Sequence, residues 1–335
     1  MAANIKKSIA ELIGFTPLLE LSHYEKKFNL EAHIVAKLEY FNPNHSIKDR
    51  IALAMVEDAE NRGLLKEGYT IIETTSGNTG IGLAAIAAAR GYKFRVYMQD
   101  RASVERTKII EAFGGEVIKF SEVETYNSIM EETHGDFVAA TRALVDKILS
   151  KEKDIFFTYQ IENQINPQIH EKTTGPEIWR DTQGDVDILV AAVGTGGTLS
   201  GAGAYLRKQN PRIKIVAVQP GLGSVPGDDN PEPEEIAGVH RFSDAPLERI
   251  PHTFNRYIYD EAIDVETSEA RESARRVAKS DGILIGTSSG AVLHAATLLA
   301  RRIENKGKTI VVIFADTGLN YLSTNLFAPH VEDLS

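Results

Sequence analysis

The sequence predicts an α/β fold built on parallel sheets, and three observations carry that prediction. Strand-like apolar runs alternate with helical ones along the chain. The later strand-like runs, residues 187–193, 214–219 and 308–315, are rich in Val and Ile without polar alternation, the pattern of strands covered on both faces. Several of these runs end in turns of glycine and hydroxyl residues that open the next helix.

In chain order, residues 32–40, 69–74 and 93–98 read as the first strands. Residues 46–62 place Ile47, Ile51, Met55 and Ala59 at helical spacing. Residues 81–90 are almost wholly apolar and read as a buried helix. Residues 103–113, 137–149, 268–280 and 291–303 follow as helices. No internal repeat or heptad array is present. Residues 221–235, rich in Gly, Pro and acids, read as an exposed loop of the kind that forms lids or partner surfaces. A charged interruption at 151–154 suggests two lobes, 1–152 and 153–335, with residues up to about 45 free to cross to the other lobe.

A chain of 335 residues can bury a sizeable core. Its 42% hydrophobic and 25% charged content is that of a soluble globular protein. The net charge of −10 argues against a nucleic-acid footprint or an anionic membrane surface. The absence of cysteine excludes disulfides, thiolate zinc sites, iron–sulfur clusters and a cysteine nucleophile. The histidines show no metal-ligand spacing, so no metal is assigned. No signal peptide and no run long enough to span a membrane is evident, and a cytoplasmic protein is expected.

One lysine breaks the local rules. In Asn42-Pro43-Asn44-His45-Ser46-Ile47-Lys48-Asp49-Arg50, Pro43 and Asn44 form a turn and Ser46 reads as the N-cap of a helix. Asp49 suits the positive end of that helix, but Lys48 does not, at a cost of a few tenths to about 1 kcal/mol. The same field raises the fraction of neutral amine, the nucleophilic form. A lysine pointing into water is the plainer alternative.

Gly194-Thr195-Gly196-Gly197-Thr198 lies between a strand and a helix and places several backbone N–H groups where an anion, above all one phosphate, would bind; a tight strand–helix crossover without a ligand is the alternative. No Gly-Lys-Ser/Thr follows, so it is not a nucleoside-triphosphate loop. Thr75-Ser76-Gly77-Asn78-Thr79-Gly80 opens the buried helix and could hold a carboxylate; otherwise Asn78 or Thr79 merely caps that helix. Gly80-Ile81-Gly82-Leu83-Ala84-Ala85, with Asp100 some twenty residues on, also fits a relaxed dinucleotide pattern, although its glycines fall inside the helix. Gly286-Thr287-Ser288-Ser289-Gly290 and Asp316-Thr317-Gly318 are two further polar turns. Parallel sheets gather ligands at strand C-terminal ends, so these turns and Lys48 are expected to converge on one cleft.

Together with His170-Glu171-Lys172-Thr173-Thr174-Gly175-Pro176-Glu177-Ile178-Trp179, these motifs resemble the cysteine synthase (O-acetylserine sulfhydrylase) and cystathionine β-synthase family of fold-type II pyridoxal-phosphate enzymes. The resemblance covers nearly the whole chain. It implies a two-lobed, tryptophan-synthase-β-like fold of mainly parallel sheets flanked by helices. It implies that Lys48 holds pyridoxal 5'-phosphate as a Schiff base and acts as the base at the substrate α-carbon. Asn78 would bond the ring hydroxyl, and Gly194, Thr195, Gly196, Gly197 and Thr198 the phosphate, while Ser288 faces the pyridine nitrogen. Thr75, Ser76, Gly77, Thr79 and Gln160 would bind the substrate carboxylate. The implied reaction passes through an α-aminoacrylate to L-cysteine from O-acetylserine and sulfide. Family members are usually homodimers, and some bind the C-terminal tail of serine acetyltransferase.

One stretch departs from the family. Where a short Gly-rich turn is usual, residues 238–249 are longer and charged. They read as a solvated loop or as a loop that brings Asp244 to activate water, in which case cysteine would be broken down to sulfide and serine. A cystathionine- or lanthionine-type synthase is a further alternative within the class. A nicotinamide-dependent oxidoreductase and a catalytically silent partner-binding relative are alternatives outside it. His45 and His170 flank the motifs and receive no chemical role.

Overall fold

The computed structural model describes residues 5–75, 77–100, 102–133, 137–227 and 230–328. In chain order its strands are β1 (Leu18–Glu20), β2 (His33–Leu38), β3 (Thr70–Thr74), β4 (Lys93–Met98), β5 (Glu116–Lys119), β6 (Ile155–Phe157), β7 (Ile188–Ala192), β8 (Lys214–Pro220), β9 (Glu261–Val265) and β10 (Thr309–Phe314). Its α-helices are α1 (Ser22–Phe28), α2 (Lys48–Asn61), α3 (Asn78–Arg90), α4 (Val104–Ala112), α5 (Tyr126–Glu132), α6 (Phe137–Lys151), α7 (Ile165–Ile169), α8 (Gly175–Asp181), α9 (Gly197–Gln209), α10 (Thr267–Asp281) and α11 (Thr287–Ala300). A π-helical turn, His170–Thr174, separates α7 from α8.

The chain forms two compact units, one of Met1–Ile13 with Lys48–Ile165, the other of Gly14–Ile47 with Asn166–Ser335. The first unit holds a four-stranded sheet in the order β5-β4-β3-β6, parallel throughout. The division falls after Ile165 rather than at 152–153. The reason is β6: although it follows the charged interruption, its Ile155, Phe156 and Phe157 pair with Thr70, Ile71 and Ile72 of β3. Within this unit α3 is buried along most of its length and stops at Gly91, whose φ of 79° suits the left-handed cap. Gly82 lets α3 approach α2: a Cβ there would lie 3.1 Å from Ala52 Cβ and 3.2 Å from Asp49 Oδ1. Gly80 faces Ile110 and Val96 in the same way. Both are packing glycines inside a helix, which overturns the dinucleotide-loop alternative.

The second unit holds a six-stranded sheet in the order β1-β2-β10-β7-β8-β9. Only the β1–β2 pair is antiparallel. All six residues of β10 are buried, and the two-residue period of the strand sends them to two cores. Ile310, Val312 and Phe314 join a core that includes Ala270, Ala274 and Val277 of α10 and much of α11. Val311 and Ile313 join Leu189, Ile215 and Leu199 on the other face. This is why the strand sequence shows no polar alternation: each face has its own helices, and burying each such side chain contributes about 1.5–3 kcal/mol. Lys37 in β2 is a buried charged side chain in this sheet. It is fully buried, pairs with Glu177 Oε2 at 2.8 Å and donates to the Thr16 carbonyl oxygen.

The short elements β1, β5, β9, α1 and α5 lack a sequence signal, being too brief for either periodicity to show. No helix among the described residues is long and apolar enough to cross a membrane.

Candidate active site

In the first unit, Lys48 is the first residue of α2 and is half-buried. In the second unit, Ser46 of the turn 42–47 forms a backbone bridge with Asp316. Within the second unit, Ile47 N–H donates to the Ala315 carbonyl at 2.8 Å. His45 supports this turn with a left-handed φ of 61°.

The carboxylate-loop candidates sit where β3 ends and α3 begins. Thr75 N–H donates to the Tyr97 carbonyl at 3.0 Å, and Thr75 Oγ1 accepts from Gly77 N–H at 3.2 Å. Gly77 is the N-cap, and no side chain caps the helix. The capping alternative therefore fails for Thr79, whose hydroxyl donates to Gln160 Oε1 at 2.6 Å, across 81 residues of sequence. Asn78, the first residue of α3, is half-buried. Ser76 lies outside the described residues.

In the second unit, Gly194, Thr195, Gly196, Gly197 and Thr198 form the turn from β7 into α9. Gly196 is the N-cap with φ 77°, and again no side chain caps the helix. The back of the turn is closed by close packing. A Cβ on Gly194 would overlap the Gly238 carbonyl oxygen, one on Gly196 would overlap Phe254, and one on Gly197 would overlap Asn166 Oδ1. Three side chains hold the turn from behind. Asn166 Nδ2 donates to Thr195 Oγ1 at 3.0 Å, and Thr253 Oγ1 donates to the Thr195 carbonyl at 2.6 Å. His170, buried in the π-turn, places Nε2 3.3 Å from Thr198 Oγ1 and Nδ1 2.9 Å from Thr174 Oγ1. Sequence reasoning missed Asn166 and Thr253 and gave His170 no role. Asn166 precedes Pro167 and reads as an ordinary turn residue; Thr253 carries no local signal.

The second unit also holds the turn into α11. Gly286 is its N-cap, without a side-chain cap. The two serines there differ. Ser289 is buried and its Oγ accepts from Ala315 N–H at 3.0 Å, whereas Ser288 is half-buried. In the fourth polar turn, Tyr321 OH donates to Asp316 Oδ2 at 2.6 Å.

The 238–249 stretch is pinned rather than loose. His240 N–H donates to the Val193 carbonyl at 2.8 Å, and Gln219 Oε1 accepts from Phe242 N–H at 3.0 Å and Ser243 N–H at 3.1 Å. Arg241 Nε donates to both oxygens of Asp244, at 3.0 and 2.9 Å, and Arg241 Nη1 to Asp264 at 2.7 Å. The Arg241 hydrogen bonds hold the Asp244 carboxyl below its ordinary range. Asp244, read from the sequence as a candidate general base, thus lies exposed and ion-paired with Arg241.

Both units thus carry glycine-capped helix N-termini with hydroxyl side chains beside them, a chemistry suited to carboxylate and phosphate groups. The family model for "pyridoxal-phosphate dependent enzyme" matches residues 9–316. A cysteine synthase of Staphylococcus aureus is 41% identical over 329 residues, covering 98% of this chain and 99% of the relative. Among solved structures, the O-acetylserine sulfhydrylase isoform 3 of Entamoeba histolytica superposes with a TM-score of 0.82 at 37% identity, over 98% of this chain and 93% of that one. A hydrogen sulfide-producing enzyme of Fusobacterium nucleatum gives 0.81 at 34% identity, over 96% and 99%. The chain belongs to the pyridoxal-phosphate-dependent enzymes.

Proposed function

We propose that this enzyme makes L-cysteine by β-replacement, from O-acetylserine and sulfide. The reading is carried by the α9 turn, and the full-length likeness to a cysteine synthase supports the substrate pair. The turn fits a phosphate monoester on three counts. Its cap brings no side chain between the helix amides and a ligand, its hydroxyl residues are braced from behind, and its glycines leave no room for substitution.

Bound there, pyridoxal phosphate supplies an electron sink for the α-carbon of an amino acid. The remaining work falls to the chain. The α9 amides with Thr195 and Thr198 hold the phosphate, and Gly194, Gly196 and Gly197 let the backbone come close. Lys48 would hold the cofactor through its amine, and the same amine would take the substrate α-proton and return it. Asn78 would bond the ring hydroxyl. Ser288 would face the ring nitrogen, where a hydroxyl does not hold that nitrogen protonated as a carboxylate would. The α3 amides with Thr75, Ser76, Gly77, Thr79 and Gln160 hold the substrate carboxylate.

A second reading, breakdown of cysteine to sulfide, is favoured by the likeness to the Fusobacterium enzyme. A third, a cystathionine- or lanthionine-type synthase, uses the same residues with a thiol as nucleophile. Product analysis separates the three. O-acetylserine with sulfide, cysteine alone, and cysteine with homocysteine are each supplied, and cysteine formed fastest from the first mixture supports the proposal. Sulfide from cysteine alone at a higher rate contradicts it. By the same resemblance the enzyme is a cytoplasmic homodimer and a candidate partner for a serine acetyltransferase tail.

A further inference from the structure

Glu73, the fourth residue of β3, is 1% exposed and forms no ion pair among the described residues. Burying a carboxylate without a cation costs several kcal/mol unless hydrogen bonds replace its water. Here four do. Oε1 accepts from Thr74 N–H at 2.7 Å and, at 3.4 Å, from Thr74 Oγ1. Oε2 accepts from Thr158 Oγ1 at 2.5 Å and from Gln160 N–H at 3.0 Å. One carboxylate therefore joins two neighbouring strand ends: β3, which continues into Thr75, and the segment after β6, which carries Gln160. The Gln160 side chain in turn accepts from Thr79.

We propose that Glu73 is a positioning residue of the substrate-carboxylate site, which fixes the Gln160 backbone so that its side chain reaches Thr79. The inference rests on the assignment of Thr79 and Gln160 to that site. Only an acceptor at both oxygens serves. An amide at this position would turn its NH2 toward either Thr74 N–H or Gln160 N–H, and neither backbone donor can become an acceptor. Burial pushes the Glu73 carboxyl up, and the same four hydrogen bonds oppose that shift, so they favour the charged form that the arrangement needs.

The test uses the enzyme loaded with pyridoxal phosphate. Glu73→Gln is expected to raise KM for O-acetylserine about tenfold, the scale of one or two lost hydrogen bonds. KM for sulfide and cofactor content are expected to stay unchanged. Thr158→Val removes one donor to Glu73 and is expected to act in the same direction, while Thr158→Ser restores the parent KM. The double variant Glu73→Gln/Thr79→Ala is expected to be no worse than Thr79→Ala alone. If Thr79→Ala raises KM and neither Glu73→Gln nor Thr158→Val does, the positioning role is overturned and the carboxylate assignment stands. If Thr79→Ala leaves KM unchanged, the carboxylate assignment itself falls. Should Glu73→Gln fail to fold, the Thr158 pair decides.

Discussion

Asn166 Nδ2 donates to Thr195 Oγ1 at 3.0 Å, and the same side chain fills the space where Gly197 would carry a Cβ. One buried amide thus sets both the hydroxyl and the backbone of the turn into α9. Gly197→Ala is expected to force Asn166 aside, cost about 1–3 kcal/mol of stability and weaken pyridoxal phosphate binding at least tenfold. A fluorescence titration of the apoenzyme with the cofactor measures the second effect.

His170 braces the other threonine. Its two ring nitrogens lie between Thr174 Oγ1 and Thr198 Oγ1, which lets a proton on Nε2 turn the Thr198 hydroxyl hydrogen outward toward an anion. His170→Ala is expected to weaken cofactor binding about fivefold, one hydrogen bond's worth. A phosphorus NMR shift of the bound phosphate toward its solution value is the accompanying sign.

The serines at the start of α11 are expected to separate structure from chemistry. Ser289→Ala leaves the half-buried Ala315 N–H without its partner and should lower stability by about 1–3 kcal/mol, read from denaturant unfolding. Ser288→Asp should leave stability near that of the parent and increase transamination products, because a carboxylate holds the ring nitrogen protonated. Unchanged product ratios in the Ser288 variant would count against its placement at the ring.

Asp244→Asn is expected to leave any serine formation from cysteine within about twofold of the parent, since Arg241 already occupies both carboxylate oxygens. Loss of that activity would restore Asp244 as the base.

Glu261 gives the fold an acid-sensitive element. Arg302 first, then Lys214, pull its carboxyl from 4.5 to about 2. The folded state favours the ionised form, so the contribution is complete above about pH 4.5 and is lost as pH falls toward 2. The group is partly solvated, so the gain at neutral pH is about 1 kcal/mol. Stability curves of the parent and Glu261→Gln are expected to differ by that amount at pH 7 and to converge near pH 2.

Much of the fold was legible because its central strands are long and doubly covered. Residues 308–315 read as a buried strand for the same reason that Val311 and Val312 pack into different cores. β6 was misplaced across a lobe boundary because three residues after a charged run carry no sign of their partner, and β3 supplies it only in space. The motif glycines and Lys48 were legible because each breaks a local rule. Asn166, Thr253 and Glu73 were not, since they act on residues 29, 58 and 87 positions away. A carboxylate at a strand end or an asparagine before proline looks ordinary until its partners are known. The ion pair of Asp244 was hidden for the matching reason: Arg241 is visible three residues before it, but its contact with both oxygens is a fact of geometry.

Borohydride reduction of the purified protein followed by peptide mapping tests the role of Lys48 most directly. The expected result is loss of visible absorbance with one phosphopyridoxyl group on the peptide that holds Lys48, and neither in Lys48→Ala. Label on another lysine, or a cofactor that dialyses away from the reduced protein intact, would contradict it.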